Sequence, residues 1–311
     1  MFEDVSFRSV CLTADPLLSR MLRRALGAAG GHVDVCATVE ELLARAPSEM
    51  VVLDARRACE IDWARVSAWG AHAVVVVADS LEQDDVLALL AGAGIDHLMA
   101  RADETEDDLV VTSGKVATGD IFGLEKYLLW GVVVSERPVR RYDEKRDALR
   151  QLADFAEEIG VRRQLVARIE AVADELLMNA LYDAPAVRYG VEPRIAERAR
   201  AGLGPLGDEP ALVRWGCDGH RLALSVRDNY GELRKEAILE HLARARAGRG
   251  APLARPGGGA GLGLYFVVSS VAGLVANISP GRATEMIALF DVKATGRESP
   301  GYARSLHIFT V

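Results

Sequence analysis

Gly257-Gly-Gly-Ala-Gly261-Leu-Gly263-Leu-Tyr265 is the stretch that decides how this chain is read, because it runs directly into the apolar segment Leu262 to Val268. A glycine run that feeds a helix start leaves backbone N–H groups open. It also points the positive end of the helix dipole at whatever precedes the helix, an arrangement suited to phosphate. Two familiar phosphate loops do not fit. A Walker A loop closes on Gly-Lys-Ser/Thr, and no lysine follows here. A dinucleotide fingerprint needs Gly-x-Gly-x-x-Gly in an early strand–helix unit, whereas positions 262 and 264 are leucine.

Three further pieces flank this run. Upstream, Leu212 to Cys217 and Arg221 to Arg227 are predicted as a hairpin across Asp218-Gly219, a strong two-residue turn signal. The second strand ends on Asp228-Asn-Tyr-Gly231. A carboxylate at a strand end can accept the exocyclic amine proton of adenine, and a glycine beside it lets a ligand approach the backbone. Further upstream, Glu175-Leu-Leu-Met-Asn179-Ala-Leu-Tyr-Asp183 lies on a long helix predicted over 162–182, after another over 143–159. Glu175 and Asn179 are four apart and share a helix face. The carboxylate can polarise a hydroxyl, and the amide oxygen can serve a hard cation such as Mg²⁺. Downstream, Ser279-Pro-Gly281-Arg-Ala-Thr284-Glu is a turn into the apolar strand Thr284 to Val292. Each piece alone is also an ordinary helix face or turn.

In order and spacing the four pieces resemble the GHKL ATPase family, which includes histidine kinases and anti-sigma factor kinases. The resemblance covers about residues 130–292. It implies a Bergerat-type α/β sandwich that binds ATP with Mg²⁺. It makes Asn179 the Mg²⁺ ligand and Asp228 the adenine contact. Gly259, Gly261, Leu262, Gly263 and Leu264 become the phosphate-facing glycine box, and Thr284 a residue near the adenine. Asp183 and Gly231 complete the cofactor-binding set, and residues 232–258 correspond to the lid. The second box departs from the family's Asp-x-Gly-x-Gly: only Asp228 and Gly231 stand, as Asp-x-x-Gly.

The first ~110 residues alternate short apolar runs with helical patterns, which argues for a parallel sheet covered by helices on both faces. Strands are expected at 9–13, 33–37, 50–53, 73–78 and 97–100, with helices at 16–29, 39–45 and 83–93. This half resembles a response-regulator receiver with a flavodoxin-like sheet, and Asp54 matches the phospho-acceptor position. Its surroundings depart from the receiver pattern. Thr13-Ala14-Asp15-Pro16 offers a single acid where two are usual, Ala78-Asp79 replaces the Ser or Thr, and Arg101 replaces the lysine. Stabilising a phosphoryl group on a carboxylate needs metal and cation. The half therefore reads as a pseudo-receiver that makes protein contacts, with Asp54 as a candidate acceptor. The expected class is α/β plus α+β, with a pseudo-receiver at 1–112 and the ATP-binding domain at 113–311.

The 311 residues suit about two domains. A net charge of −8 gives no support for nucleic-acid binding. Cys11, Cys36, Cys59 and Cys217 are scattered, without metal-ligand spacing. Acids in the first residues and short apolar runs leave no signal peptide or membrane span, so a cytoplasmic protein is expected. No histidine lies between residues 98 and 219, so the phospho-accepting histidine of a classical autokinase is missing. The box around Glu175 looks more like the anti-sigma factor Ser/Thr kinases, in which that Glu is the general base. Two readings stay open: a Ser/Thr protein kinase or weak ATPase, and a non-catalytic, nucleotide-gated signalling scaffold. Both imply a protein partner in a signalling pathway. The arginines of 136–168 read as a solvated connector or as an interface, a homodimer among the options. The tail Leu306 to Val311 reads as an edge strand or a docking tail.

Overall fold

The computed structural model describes residues 7–45, 47–62, 66, 68–81, 89, 94–102, 105–192, 206–247, 262–293 and 303–311. The chain forms two compact units, Met1–Ile121 with Arg304–His307, and Phe122–Ala303 with Ile308–Val311. The expected helix at 83–93 falls largely on residues outside the described ones, and the short helical pattern of 194–201 falls wholly on them. Among the described residues, no helix is long and apolar enough to cross a membrane.

In the first unit, β1 (Phe7–Leu12), β2 (Gly31–Cys36), β3 (Met50–Asp54), β4 (Ala73–Ala78) and β5 (His97–Ala100) are parallel neighbours. Their order, β2-β1-β3-β4-β5, is one of the two common doubly wound orders. Every residue of β3 and β4 is buried, as expected for central strands covered on both faces. Helix α1 (Pro16–Ala28) starts where Asp15 Oδ1 accepts from the N–H groups of Leu17 (2.8 Å) and Leu18 (3.3 Å). Pro16 fits its first turn, where no N–H partner is needed. Leu18, Leu22, Ala25 and Leu26 form its buried stripe, and each leucine contributes about 1.5–3 kcal/mol by leaving water. After α2 (Val39–Arg45), α3 (Thr105–Thr118) opens on an acidic turn. Its first-turn acids Glu106, Asp107 and Asp108 oppose the positive helix end, and Glu106 pairs with Arg24 of α1. The start of the last strand, β11 (Ser305–Thr310), lies antiparallel to β5, with His307 opposite His97. The tail is thus a paired strand.

In the second unit, β9 (Gly273–Ser279), β10 (Ala283–Asp291), β8 (Arg221–Asp228), β7 (Ala211–Cys217) and β6 (Ser135–Val139) pair antiparallel in that order. The β7–β8 turn forms at Asp218-Gly219. Gly219 has φ +87°, and Asp218 Oδ1 accepts from the N–H groups of His220 and Arg221. Two strand expectations change. The apolar run Trp130 to Ser135 reads in the sequence as a strand, but it is not one: Gly131 turns the chain at φ +87° and Trp130 is fully exposed, so β6 begins at Ser135. The sequence assigns no strand at β9, where Gly273 and Asn277 interrupt the apolar pattern. Asn277 is buried there with Nδ2 donating to Glu285 Oε2 (3.0 Å), which also accepts from Gly123 N–H (2.9 Å). A buried carboxylate held by two donors in this way avoids the penalty of an unpaired one.

Among the described residues, the α-helices of this unit are α4 (Tyr142–Glu158), α5 (Arg163–Met178), α6 (Ala184–Arg188), α7 (Lys235–Ala247) and α8 (Leu262–Ser270). Helix α5 packs on α4 and on strands β8 and β10, while α8 packs on α5, α7 and β9. Buried Lys145 of α4 pairs with Asp174 of α5 and lies over the Tyr142 ring.

Candidate functional site

The long helix predicted over 162–182 is not uniform. After Met178 it widens into a π turn, Asn179–Asp183, closed by Ala184 N–H donating to Asn179 O five residues back. Pro185 supplies the cause. A proline has no N–H for the carbonyl four residues earlier, here Leu181, and its ring clashes with that carbonyl in an α-helix. The helix relieves the clash by taking one extra residue. Turns of this kind are frequent at functional sites. The wider circuit keeps Asp183 from running past the line of Glu175 and Asn179, so the three polar residues follow one flank. All three are half-buried, whereas Ala180, Leu181 and Tyr182 are buried.

The π turn packs against β8, the strand that ends on Asp228. Asp228 is buried, and its Oδ1 accepts from the N–H groups of Tyr230 (2.8 Å) and Gly231 (3.1 Å). Burial raises its carboxyl above the ordinary range, and those backbone donors offset part of the rise. Directly across the ladder stands Thr284. Its hydroxyl is buried without a well-aligned partner among the described residues, though it is near enough to Asp228 to favour the carboxylate. A buried acceptor beside a buried, poorly aligned hydroxyl is a pair of groups that a polar, flat ligand edge could satisfy.

Gly231 is required on two counts. Its φ is +65°, and a Cβ there would stand 2.3 Å from Ser279 O, 2.6 Å from Arg282 N and 2.8 Å from Ala283 N. All three atoms are backbone of the turn that leads to Thr284, and Gly281 N–H donates to Gly231 O (3.1 Å). The second and fourth sequence pieces are therefore joined directly.

The glycine run meets the first piece at Gly263. A Cβ there would lie 1.8 Å from Glu175 Oε1 and 2.2 Å from its Cδ, so the Glu175 carboxyl rests on the first turn of α8. Leu264 is buried, whereas Gly259 and Gly261 lie outside the described residues, as does much of the segment read as a lid. The described parts of all four pieces thus meet in pairs: α8 with Glu175, the π turn with β8, and Asp228 and Gly231 with Thr284 and its turn.

The sequence reading did not single out Tyr230 and Tyr189. Tyr230 is buried and Tyr189 stands edge-on to it, ring centres 6.0 Å apart. Burial pushes the Tyr230 phenol up to about 12, and a Cβ on Gly207 would meet its hydroxyl at 2.0 Å. The aromatic at the second position after Asp228 was visible in the sequence, but its partner forty residues earlier was not.

Among the described residues, no group of three or more His, Cys, Asp or Glu side chains is arranged in this structure to hold a metal. A cation near Asn179 would take that amide and oxygens from a ligand, as Mg²⁺ commonly does with phosphates. Asp54, in the first unit, is gathered with Thr13, Asp15, Arg56, Asp79 and Arg101 rather than with any residue above.

No protein-family profile matches the chain, and no curated protein matches it. Among solved structures, a chain in the crystal structure of the SiaB-SiaC complex from Pseudomonas aeruginosa aligns with 61% of this chain and 100% of its own length. The identity is 16% and the TM-score 0.34, a similarity too low to assign fold or function.

Proposed function

We propose that the second unit is a GHKL-type domain that binds an adenine nucleotide with Mg²⁺, and that the chain works in signalling through a protein partner. The observation that carries this reading is Asp228, a buried carboxylate at a strand end, paired across the ladder with Thr284, whose buried hydroxyl stands close to it without a well-aligned partner among the described residues. Adenine offers an exocyclic amine donor and ring-nitrogen acceptors to such a pair. Asp228 would accept from the amine, and the close backbone approach at Gly231 leaves the base edge free of a side chain. Asn179 would hold Mg²⁺ together with the phosphates, and the bound ion would supply neutralisation of phosphate charge. The α8 start, at Gly263 and Leu264, would face the phosphates with its N–H groups. Glu175, beside Gly263, would take a proton from a hydroxyl brought to the phosphate end.

Calorimetric titration with Mg-ATP and Mg-ADP tests the binding claim. The wild-type chain should bind, and Asp228→Asn should bind about 10-fold more weakly, because a hydrogen bond to a charged acceptor contributes about 1.5–3 kcal/mol. Absence of binding to the wild type, or unchanged affinity in the variant, would refute it. Transfer of labelled γ-phosphate to a co-purified partner, lost in Glu175→Ala with binding retained, separates the kinase from a scaffold.

A further inference from the structure

Four residues at the C-terminal ends of the first unit's strands converge on one point. Asp15 follows β1, Asp54 ends β3, Asp79 follows β4 and Arg101 follows β5. One guanidinium contacts all three acids, through an aligned hydrogen bond from Nη1 to Asp15 and through charge contacts from Nη2 and Nε, which meet no aligned acceptor among the described residues. Arg101 Nη1 lies 2.7 Å from Asp15 Oδ2, Nη2 lies 2.7 Å from Asp54 Oδ1, and Nε lies 3.4 Å from Asp79 Oδ1. Its backbone N–H donates to Ala78 O (2.8 Å), which fixes where the side chain starts. Arg56 braces the outer side, 2.8 Å from Asp79 Oδ1 and 3.4 Å from Asp15 Oδ2. The remaining capacity of Asp54 is taken by the Thr13 hydroxyl (2.8 Å to Oδ2) and Arg56 N–H (3.1 Å to Oδ1).

We propose that Arg101 is the resident cation of this acidic cluster: its guanidinium, rather than a divalent ion, supplies the positive charge that Asp15, Asp54 and Asp79 require, and holds the three strand ends in one arrangement. Three carboxylates this close repel one another unless a positive charge sits among them. A divalent ion and a guanidinium both meet that need, but they differ in consequence. A metal exchanges and leaves coordination positions open, whereas the planar guanidinium is tethered and donates in fixed directions. With both oxygens of Asp54 engaged and the cation's position filled, the residues present do not fit the metal-assisted phospho-acceptor that the sequence of this half resembles. The first unit is then a single-state element, and any signalling through it proceeds by contact rather than by modification of Asp54.

Counting bound Mn²⁺ by electron paramagnetic resonance, in the full chain, tests this. Wild type and Asp79→Asn should bind the same number of ions, because wild type holds none in the cluster; half-exposed Asp79 tolerates the change. Arg101→Gln should bind one ion more than wild type, and Arg101→Gln/Asp54→Asn should lose that gain. Arg101→Lys, which keeps a charge and is the milder change, should fold and show no gain. A Mn²⁺ ion in wild type that Asp79→Asn removes would overturn the proposal. So would a folded Arg101→Gln chain, confirmed by circular dichroism, that gains none. Comparison with Asn179→Ala separates this site from an ion held by the second unit.

Discussion

Gly231 and Gly219 provide a matched pair for measuring what the close approach at the candidate site is worth. Both sit at positive φ, +65° and +87°, so Ala at either position meets the left-handed penalty of about 1–2 kcal/mol. They differ in surroundings. A Cβ at Gly219 meets nothing within 4 Å, whereas one at Gly231 meets backbone atoms of Ser279, Arg282 and Ala283 at 2.3 to 2.8 Å. Backbone in a turn cannot swing aside like a side chain, so Gly231→Ala carries an added overpacking cost of about 1–3 kcal/mol. For a unit of this size that difference corresponds to a Tm lowered by about 2–12 °C relative to Gly219→Ala. Thermal unfolding of both variants, followed by circular dichroism at one scan rate, reads it directly. The same change should weaken nucleotide binding in Gly231→Ala alone, because it separates Asp228 from the turn before Thr284. Equal Tm values for the two variants would show that the turn does not lie against Gly231, and the joining of the second and fourth pieces would fail with it.

Other perturbations follow from the buried charges. Lys145→Ala leaves Asp174 without its partner and should cost about 1–3 kcal/mol, less than a fully buried pair because Asp174 is half-exposed; Lys145→Met should recover most of it, and equal urea midpoints for the two would contradict this. His307, buried beside His97 and near Lys115, has its imidazolium disfavoured by burial first and by that lysine second, to about 3. A depressed folded value means stability is intact above the ordinary histidine range and is lost as pH falls below it. The loss at about pH 5 should reach about 2 kcal/mol, and His307→Gln should flatten that part of the pH–stability curve. Asp228 has the opposite sign: its raised carboxyl favours the fold at low pH and opposes it once ionised. Asp228→Asn should therefore match wild type in acid and exceed it in Tm near neutrality, while binding nucleotide less well. A variant less stable at neutral pH would show that the carboxylate is held by more than its backbone donors.

What the sequence made legible was whatever local chemistry decides. The continuous apolar runs of β3 and β4 mark central strands, and Asp218-Gly219 marks the hairpin, because each signal sits within a few neighbouring residues. Asp228, Gly231 and Thr284 were nameable as a set, but not the reason Gly231 cannot be another residue, which lies in a turn fifty residues later. Strand β9 was missed because a buried asparagine reads as a break until Glu285 is seen to receive its amide. Trp130 to Ser135 misled in the other direction: an apolar run looked like a strand, while a single glycine turned it outward. The widening of the helix after Met178 was written in Pro185 and went unread, because a proline near a helix end usually signals a stop rather than an extra residue.

That extra residue has a consequence for how the chain can vary. Up to Met178 the helix keeps one phase, and the π turn resets it before α6. Deleting one residue between Asn179 and Asp183 would restore ordinary winding and leave the residues beyond the turn near their present sectors, but it would bring the ring of Pro185 against the carbonyl four residues before it. Replacing Pro185 by alanine would instead let either winding form. Chain length and residue 185 must therefore change together or not at all, a coupled constraint that single substitutions along this helix would not reveal.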